Sequence, residues 1–218
     1  RVRMAQDGML YFSVGERGRM KEAQDPQNHL GTVIRLQENG KVPQDNPFLK
    51  NKKGRAEIFS YGHRNPQGMA LHPKTGKIWV HEHGPQGGDE INILKAGANY
   101  GWPKTTYGEQ YGGGKIGIGP KSPGIEEPLL HWTPSIAPSG MDFYQGAIFP
   151  NWNGDLLVGS LKFRMLVRVD LEGSLVQGQE VVFQDRIGRV RDVRVSPEGK
   201  VYLLNDEYRG GIFRLDPL

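Results

Sequence analysis

Alternating apolar and polar residues around tight glycine turns run through the whole chain. In three segments an alternating apolar strand is followed by a turn that ends in glycine and by a second apolar strand; they are residues 1–12, 69–80 and 193–203. A looser copy runs from Met141 to Val158, with a longer loop before its glycine. Period-two alternation on both sides of Asp-Gly, Thr-Gly or Glu-Gly is typical of a β-hairpin. The pattern therefore predicts repeated antiparallel hairpins.

A short strand with a central arginine follows three of these hairpins, so each unit is predicted to be a meander of at least three strands. The three strands are Val33–Leu36, Leu166–Val169 and Ile212–Leu215. The turn glycines Gly154 and Gly199 lie about 45 residues apart, close to the roughly 40- to 50-residue period of propeller blades. Wider gaps elsewhere predict insertions, the largest over residues 102–130. We expect an all-β chain, a β-propeller of four-stranded blades with about four blades present, ahead of a β-sandwich of the same strands.

Composition fits this fold class and narrows the possible partners. The 31 glycines and 15 prolines among 218 residues are spread along the chain, as many turns between short strands require. The net charge of +4 is small and its basic residues are interleaved with acidic ones, so no nucleic-acid partner is expected. No apolar run approaches the roughly 18 to 20 residues of a membrane span, and no signal peptide opens the chain. The absence of cysteine excludes disulfides and leaves the compartment open.

Candidate ligand-binding and metal-binding residues are concentrated between residues 61 and 103. This stretch combines Arg64 and an Asn-Pro break with a Gly84-Pro85 turn and the adjacent acids Asp89 and Glu90. Because Pro66 restricts the backbone of Asn65, Arg64 is expected on a rigid loop. Hard cations take oxygen ligands, and a Gly-Pro turn can expose carbonyl oxygens. We expect this region to hold an anionic ligand and a hard cation.

A second cationic position is formed by Arg189 and Arg191. The two residues are two apart, so on an extended strand both side chains point the same way. Paired guanidinium groups suit a multiply charged anion. The alternative is a solvated edge strand with ordinary ion pairs to Asp185 and Asp192. Zinc at His81 and His83 is not expected, because no third ligand stands at a suitable spacing.

Three motifs carry a resemblance to a known family. They are YGHRNPQG at Tyr61–Gly68, HEHGPQGGDEIN at His81–Asn92 and NYGWP at Asn99–Pro103. They resemble the soluble pyrroloquinoline quinone (PQQ) dependent aldose sugar dehydrogenases, six-bladed β-propellers related to soluble glucose dehydrogenase. The resemblance covers nearly the whole chain but begins in the middle of the family's sequence. It implies that residues 1–218 are the C-terminal portion of one propeller domain, which missing N-terminal blades or another chain would complete.

The resemblance implies PQQ and Ca²⁺ as cofactors and assigns roles to particular residues. The implied PQQ contacts are Arg64 and Asn65 at the quinone, together with Tyr111, Lys162, Arg189 and Arg191. The implied calcium positions are the carbonyls of Gly84 and Pro85 for the catalytic ion, and Glu90 with the backbone of Tyr100 for a second ion. Trp132, Thr133 and Ser135 match further contacts in a loose register. Each residue also has an ordinary interpretation, such as a loop-capping ion pair for Arg64 or a surface lysine for Lys162.

The implied reaction is oxidation of an aldose to its lactone, with hydride transfer to PQQ, an external electron acceptor and a periplasmic or secreted location. The family's general-base histidine falls just before Arg1, and none of the six histidines here matches it. Arg17 also departs from the family, because glucose dehydrogenases carry glutamine there. Two alternatives stay open: a noncatalytic propeller fragment that acts as a binding scaffold, and a calcium-dependent lactonase-type propeller. The lactonase should lack the cationic set of Arg64, Lys162, Arg189 and Arg191.

Overall fold

A computed structural model describes residues 1–217, and nearly all of its regular secondary structure is β-strand. Two single-turn 3₁₀ helices, Met20–Gln24 and Pro150–Trp152, interrupt the strands. The strands are β1 (Val2–Met4), β2 (Met9–Val14), β3 (Thr32–Gln37), β4 (Ile58–Tyr61), β5 (Pro66–Leu71), β6 (Ile78–Glu82), β7 (Asp89–Ile93), β8 (Leu130–Trp132), β9 (Pro138–Phe143), β10 (Leu156–Ser160), β11 (Met165–Glu172), β12 (Leu175–Gln184), β13 (Val190–Val195), β14 (Val201–Asn205) and β15 (Ile212–Leu215).

The strands form four sheets, and within each sheet every strand pairs with the strands that precede and follow it in sequence. Three sheets have four strands, β1 to β4, β5 to β8 and β9 to β12, and the fourth has three described strands, β13 to β15. Consecutive meanders of this kind are the blades of a propeller, whereas Greek-key crossovers build a sandwich. The predicted hairpins are confirmed: β1 pairs with β2 and β13 with β14, around turns in which Gly8 and Gly199 have φ of 73° and 80°. Such positive φ angles favour glycine.

The chain divides into two compact units, each described by itself. The first comprises Arg1–Met69 and Gly76–Ser135, and the second comprises Ala70–Thr75 and the chain from Ile136 onward. The core of the second unit is a cluster of fully buried aliphatic side chains around Tyr144, including Leu157, Leu166 and Val193. In the first unit, no strand lies between β7 and β8, where the sequence predicted the largest insertion. No helix in the described residues is long and apolar enough to cross a membrane.

The arginine that recurs in the strands after the hairpins has a structural explanation. In β3, Arg35 is buried and forms ion pairs with Asp7, one residue before the hairpin glycine, and with Asp45, at 3.0 and 2.8 Å. In β11, Arg168 lies 3.4 Å from Asp155, one residue after the hairpin glycine. These two arginines therefore connect the third strand of a blade to the turn of its hairpin.

Tyr144 connects two turns of the second unit and offers a test of its packing. Its hydroxyl donates to the carbonyl of Gly199 at 3.1 Å and accepts from the backbone N–H of Phe149 at 2.9 Å, and the side chain is fully buried. Tyr144→Phe should lower the free energy of unfolding by about 1 to 3 kcal/mol, because it leaves buried backbone groups unpaired. Urea denaturation measures this loss. Tyr208→Phe, at a fully exposed side chain, is the control, and equal stability of the two variants would contradict the expectation.

Candidate functional site

The loop that carries Arg64 is held by a close backbone contact at Gly62. Gly62 has a φ of 79°, and a Cβ placed on it would lie 2.8 to 2.9 Å from the backbone nitrogens of Gly101 and Tyr100. The backbone N–H of Gly62 donates to Ala23, and its carbonyl accepts from Trp102 at 2.8 Å. The loop is therefore fixed against the turn that contains the NYGWP motif.

Arg64 is held from several directions. Its backbone N–H donates to Glu82 Oε2 at 2.5 Å, and its Nη1 donates to the carbonyls of His83 and Gly84 at 3.0 and 2.9 Å. Its guanidinium lies over the Trp102 ring, 5.3 Å from the centroid. The next residue, Asn65, accepts from the His83 N–H through its carbonyl at 3.1 Å, and from Gln67 Nε2 through Oδ1 at 2.9 Å. The predicted rigid presentation of Arg64 agrees with this arrangement.

A buried pair of His63 and Glu82 supports this loop. His63 is fully buried, with Nδ1 at 2.8 Å from Glu82 Oε1 and Nε2 at 2.9 Å from Ser60 Oγ. Its ring stacks on Tyr100 with centroids 4.6 Å apart. The sequence analysis missed Glu82, although a glutamate at the end of the apolar strand β6 was a signal. Its carboxylate binds both the His63 ring and the Arg64 backbone, so it positions the loop.

A small cavity of about 10 Å³ lies behind this pair and is lined by Glu82, Glu90, Gly84 and Tyr100, among others. That volume holds about one water-sized species. Burial, reinforced by the nearby carboxylates of Glu82 and Asp89, holds the pKa of Glu90 well above its usual range, despite an opposing hydrogen bond from Asn92. Asn92 Oδ1 is buried and has no hydrogen-bond partner among the described residues. The carboxylates of Glu82 and Glu90, which line this single-atom space, are oxygen ligands of the kind that a hard cation takes.

Asp89, the other carboxylate of the motif, holds the Gly84-Pro85 turn. It accepts from the Gly84 N–H at 2.9 Å and from Ser135 Oγ at 2.8 Å. Thr133, from the same loosely matched segment as Ser135, accepts from the Gly88 N–H at 3.1 Å, and Trp132 is buried.

In the part of the chain that the structure describes, no three histidine, cysteine or carboxylate side chains form a metal-binding group. A cation here would therefore depend on backbone oxygens as well.

A larger cavity of about 250 Å³ lies on the other side of Arg64 and Trp102. Pro85 and Tyr111 line it, and Tyr111 is largely exposed. Tyr107, the other tyrosine of the loop, instead stacks on His131 with centroids 3.8 Å apart. Of the two tyrosines, the structure therefore places Tyr111 beside Arg64.

In the second unit, Arg189 and Arg191 share one acidic partner. Their Nη2 atoms lie 3.0 and 2.6 Å from the same oxygen of Asp206, so the predicted common direction of the two side chains is correct. Hydrogen bonds from Arg191 and Arg189 hold the pKa of Asp206 below its usual range. The sequence analysis considered Asp185 and Asp192 as partners and missed Asp206, which follows β14. Lys162 is exposed, with Nζ 5.2 Å from the Phe163 ring centroid.

Comparison with known proteins shows the family to which the chain belongs. The family model described as "Glucose / Sorbosone dehydrogenase" matches residues 1–214. The chain belongs to this family. The aldose sugar dehydrogenase YliI of Escherichia coli K12 is 43% identical over 212 residues, which cover 96% of this chain and 57% of YliI. The quinoprotein glucose dehydrogenase B of Acinetobacter calcoaceticus is 28% identical over 94% of this chain and 58% of its own length. This glucose/sorbosone dehydrogenase chain thus spans less than two thirds of these relatives.

Solved structures of the glucose/sorbosone dehydrogenase type share the fold. A crystal structure of a glucose dehydrogenase matches the whole chain with a TM-score of 0.97 and 44% identity, over 64% of its own length. The PQQ-bound aldose sugar dehydrogenase of Streptomyces coelicolor matches 99% of this chain and 60% of its own length, with a TM-score of 0.79 and 28% identity. The predicted fold class, an all-β chain with propeller-type sheets, is confirmed by these matches.

Proposed function

We propose that the protein to which this chain belongs oxidises aldose sugars to lactones with PQQ and calcium as cofactors. The observation that carries the proposal is the rigid presentation of Arg64 at the 250 Å³ cavity, within a chain that is 43% identical to an aldose sugar dehydrogenase. Bound PQQ would supply the quinone that accepts a hydride from the anomeric carbon of the sugar. A fixed cation near the quinone oxygens favours this step, because negative charge develops there. We assign that role to Arg64, with Asn65 beside it.

The other cofactor contacts follow from the chemistry of the side chains. PQQ carries three carboxylates, and paired guanidinium groups bind carboxylates with both charge and orientation. We propose Arg189, Arg191 and Lys162 of the second unit as partners of these carboxylates. In the first unit, the ring of Tyr111 would cover the planar cofactor. Asp206 occupies the arginine pair in the structure, so a bound carboxylate would replace it.

We propose that the proton of the sugar hydroxyl goes to a histidine outside residues 1–218. His63, His72 and His81 are buried, and His63 is bonded to Ser60 and Glu82. His29 lies 2.6 Å from Glu57, and His131 stacks on Tyr107. A general base must reach the proton that it removes. None of these five histidines is among the residues that line the large cavity, and His83 lines the small one.

Calcium is proposed at two positions. The Glu82 and Glu90 carboxylates that line the small cavity support a cation held by the Glu90 carboxylate and the backbone of Tyr100. The carbonyl of Gly84, which points to Arg64 Nη1 in the structure, and that of Pro85 would hold the other ion beside PQQ. Both sets consist of the oxygen ligands that calcium requires.

We further propose that the protein passes electrons from reduced PQQ to an external acceptor and that it is periplasmic or secreted.

Removal of one carboxylate tests the second calcium position. Calcium at 100 times its dissociation constant should stabilise the wild-type chain by about 2.7 kcal/mol through linkage, whereas Glu90→Gln should show little stabilisation at the same concentration. Thermal unfolding with and without calcium measures the difference. Glu126→Gln removes an acid of the same unit that pairs with Lys95 at the surface, and it should respond like the wild type. An equal calcium response in the Glu90 and Glu126 variants would contradict the assignment.

The proposed activity is tested by dye-linked oxidation of aldoses by the intact protein. Oxidation should require both PQQ and calcium, and the product should be the lactone. A protein that hydrolyses lactones with calcium alone would support the lactonase alternative. A protein that binds PQQ but oxidises none of a panel of aldoses would support the binding scaffold.

A further inference from the structure

Three residues that line the same cavity in the first unit each carry a buried polar atom without a hydrogen-bond partner. The atoms are Glu16 Oε2, Arg64 Nε and Trp102 Nε1, none of which has a hydrogen-bond partner among the described residues. All three residues line the cavity of about 250 Å³ that also contacts Tyr111. Buried polar groups are hydrogen-bonded in the great majority of cases. Three unpaired atoms around one cavity therefore indicate a polar ligand.

The chemistry of these atoms defines the class of ligand. The carboxylate oxygen of Glu16 accepts a hydrogen bond, whereas Arg64 Nε and Trp102 Nε1 donate. A hydroxyl group can both donate and accept, so a polyhydroxylated ring offers partners for both kinds of atom. The volume of about 250 Å³ lies just below the usual range of ligand pockets, about 300 to 1,000 Å³, and suits a small ligand such as a monosaccharide. The Glu16 carboxylate is a poor partner for the carboxylates of PQQ, which are proposed to bind Lys162, Arg189 and Arg191, and a suitable partner for a neutral sugar.

Glu16 is fixed relative to Arg64 by backbone contacts. It is 7% exposed, its N–H donates to the Arg64 carbonyl at 2.9 Å, and its own carbonyl accepts from the Arg19 N–H at 3.0 Å. The preceding Gly15 packs so closely that a Cβ there would lie 3.3 Å from the Arg64 carbonyl and from Asn65 Oδ1. The carboxylate is therefore carried on backbone that is bonded to the Arg64 loop.

We propose that Glu16 is a specificity-determining residue that accepts a hydrogen bond from one ring hydroxyl of the aldose. The assignment rests on the proposed function, and it adds the part of the substrate that this chain recognises. Because the carboxylate is buried, the loss of its partner leaves a desolvated charge unpaired. A sugar that lacks the contacted hydroxyl should therefore be oxidised with a lower kcat/KM than one that carries it.

A cycle of variants and deoxy sugars identifies the contact. For the intact holoenzyme, kcat/KM is measured with glucose and with its monodeoxy analogues at the non-reacting positions. In the wild type, one analogue should be oxidised about 10- to 100-fold less efficiently than glucose, as expected for a hydrogen bond to a charged group. In Glu16→Met, which keeps a linear side chain but has no acceptor oxygen, that gap should fall to about threefold or less. Glu16→Gln keeps one acceptor oxygen and should give an intermediate gap.

The controls separate this role from a structural one. Glu22→Gln changes an exposed acid that pairs with Arg19 and should leave every gap unchanged. PQQ affinity, measured by titration, should be the same in all variants. If Glu16→Met does not fold, the gap in Glu16→Gln decides. Gaps that stay as in the wild type in the folded Glu16 variants would overturn the role of Glu16 alone. A wild-type holoenzyme that oxidises no aldose would overturn the proposed function and this role together.

Discussion

Arg191→Ala in the intact protein is expected to weaken PQQ binding by about 2 to 5 kcal/mol, the cost of removing one partner of a desolvated charge pair. In the structure Arg191 is 38% exposed at its side chain and lies 2.6 Å from Asp206. A cofactor carboxylate that replaces Asp206 would exclude water from the arginine pair and strengthen the interaction. Titration of PQQ into the wild type and the variant, followed by absorbance, measures the difference. Arg189→Ala should behave similarly.

Two further variants serve as controls for the arginine pair. Asp206→Asn removes the competing charge and should strengthen PQQ binding, while Arg214→Ala removes an exposed arginine paired with Asp216 in the same unit and should leave it unchanged. A loss below about 1 kcal/mol in Arg191→Ala would indicate a solvated surface arginine instead. Equal losses in the Arg191 and Arg214 variants would point to a general effect of positive charge.

His63→Ala should lower the free energy of unfolding by about 3 to 5 kcal/mol, because it removes the His63 partner of the buried Glu82 carboxylate. The side chains of His63 and Glu82 are 0% and 5% exposed, and the same carboxylate holds the Arg64 backbone. The variant should therefore loosen the Arg64 loop as well as destabilise the first unit. Chemical denaturation measures the first effect, and hydrogen exchange of the Arg64 amide measures the second.

A second histidine–glutamate pair in the same unit provides a matched control. His29 and Glu57 are 2.6 Å apart, but their side chains are 40% and 22% exposed. His29→Ala should cost only about 0 to 1 kcal/mol, as is usual for exposed pairs. If the two variants lose equal stability, burial of the His63–Glu82 pair does not determine its contribution.

The sequence predicted the fold through local signals. Period-two alternation on both sides of a glycine predicts each hairpin. Glycine is favoured at these turns because φ is positive, as at Gly8 and Gly199. Local spacing also predicted that Arg189 and Arg191 point the same way, because side chains alternate along a strand. These features depend on neighbouring residues, so one sequence is enough to find them.

The organisation of the candidate site was less accessible from sequence. Glu82 acts on His63 and Arg64 from a different strand, and Asp206 reaches the arginine pair from the end of β14. The sequence did not identify Glu16, which follows β2, as a candidate site residue. Nothing in its local pattern reveals that its carboxylate is buried in the cavity that Arg64 also lines. These contacts join residues far apart in the chain and depend on how the loops pack.

Single-turnover reduction of bound PQQ tests whether the intact protein oxidises aldoses. The intact protein is loaded with one equivalent of PQQ and with calcium, and glucose is then added without an electron acceptor. We expect the absorbance of the oxidised quinone to be lost, with one lactone formed for each PQQ bound. PQQ that binds at this stoichiometry but stays oxidised at saturating concentrations of several aldoses would contradict the assignment of this chain to a sugar-oxidising enzyme.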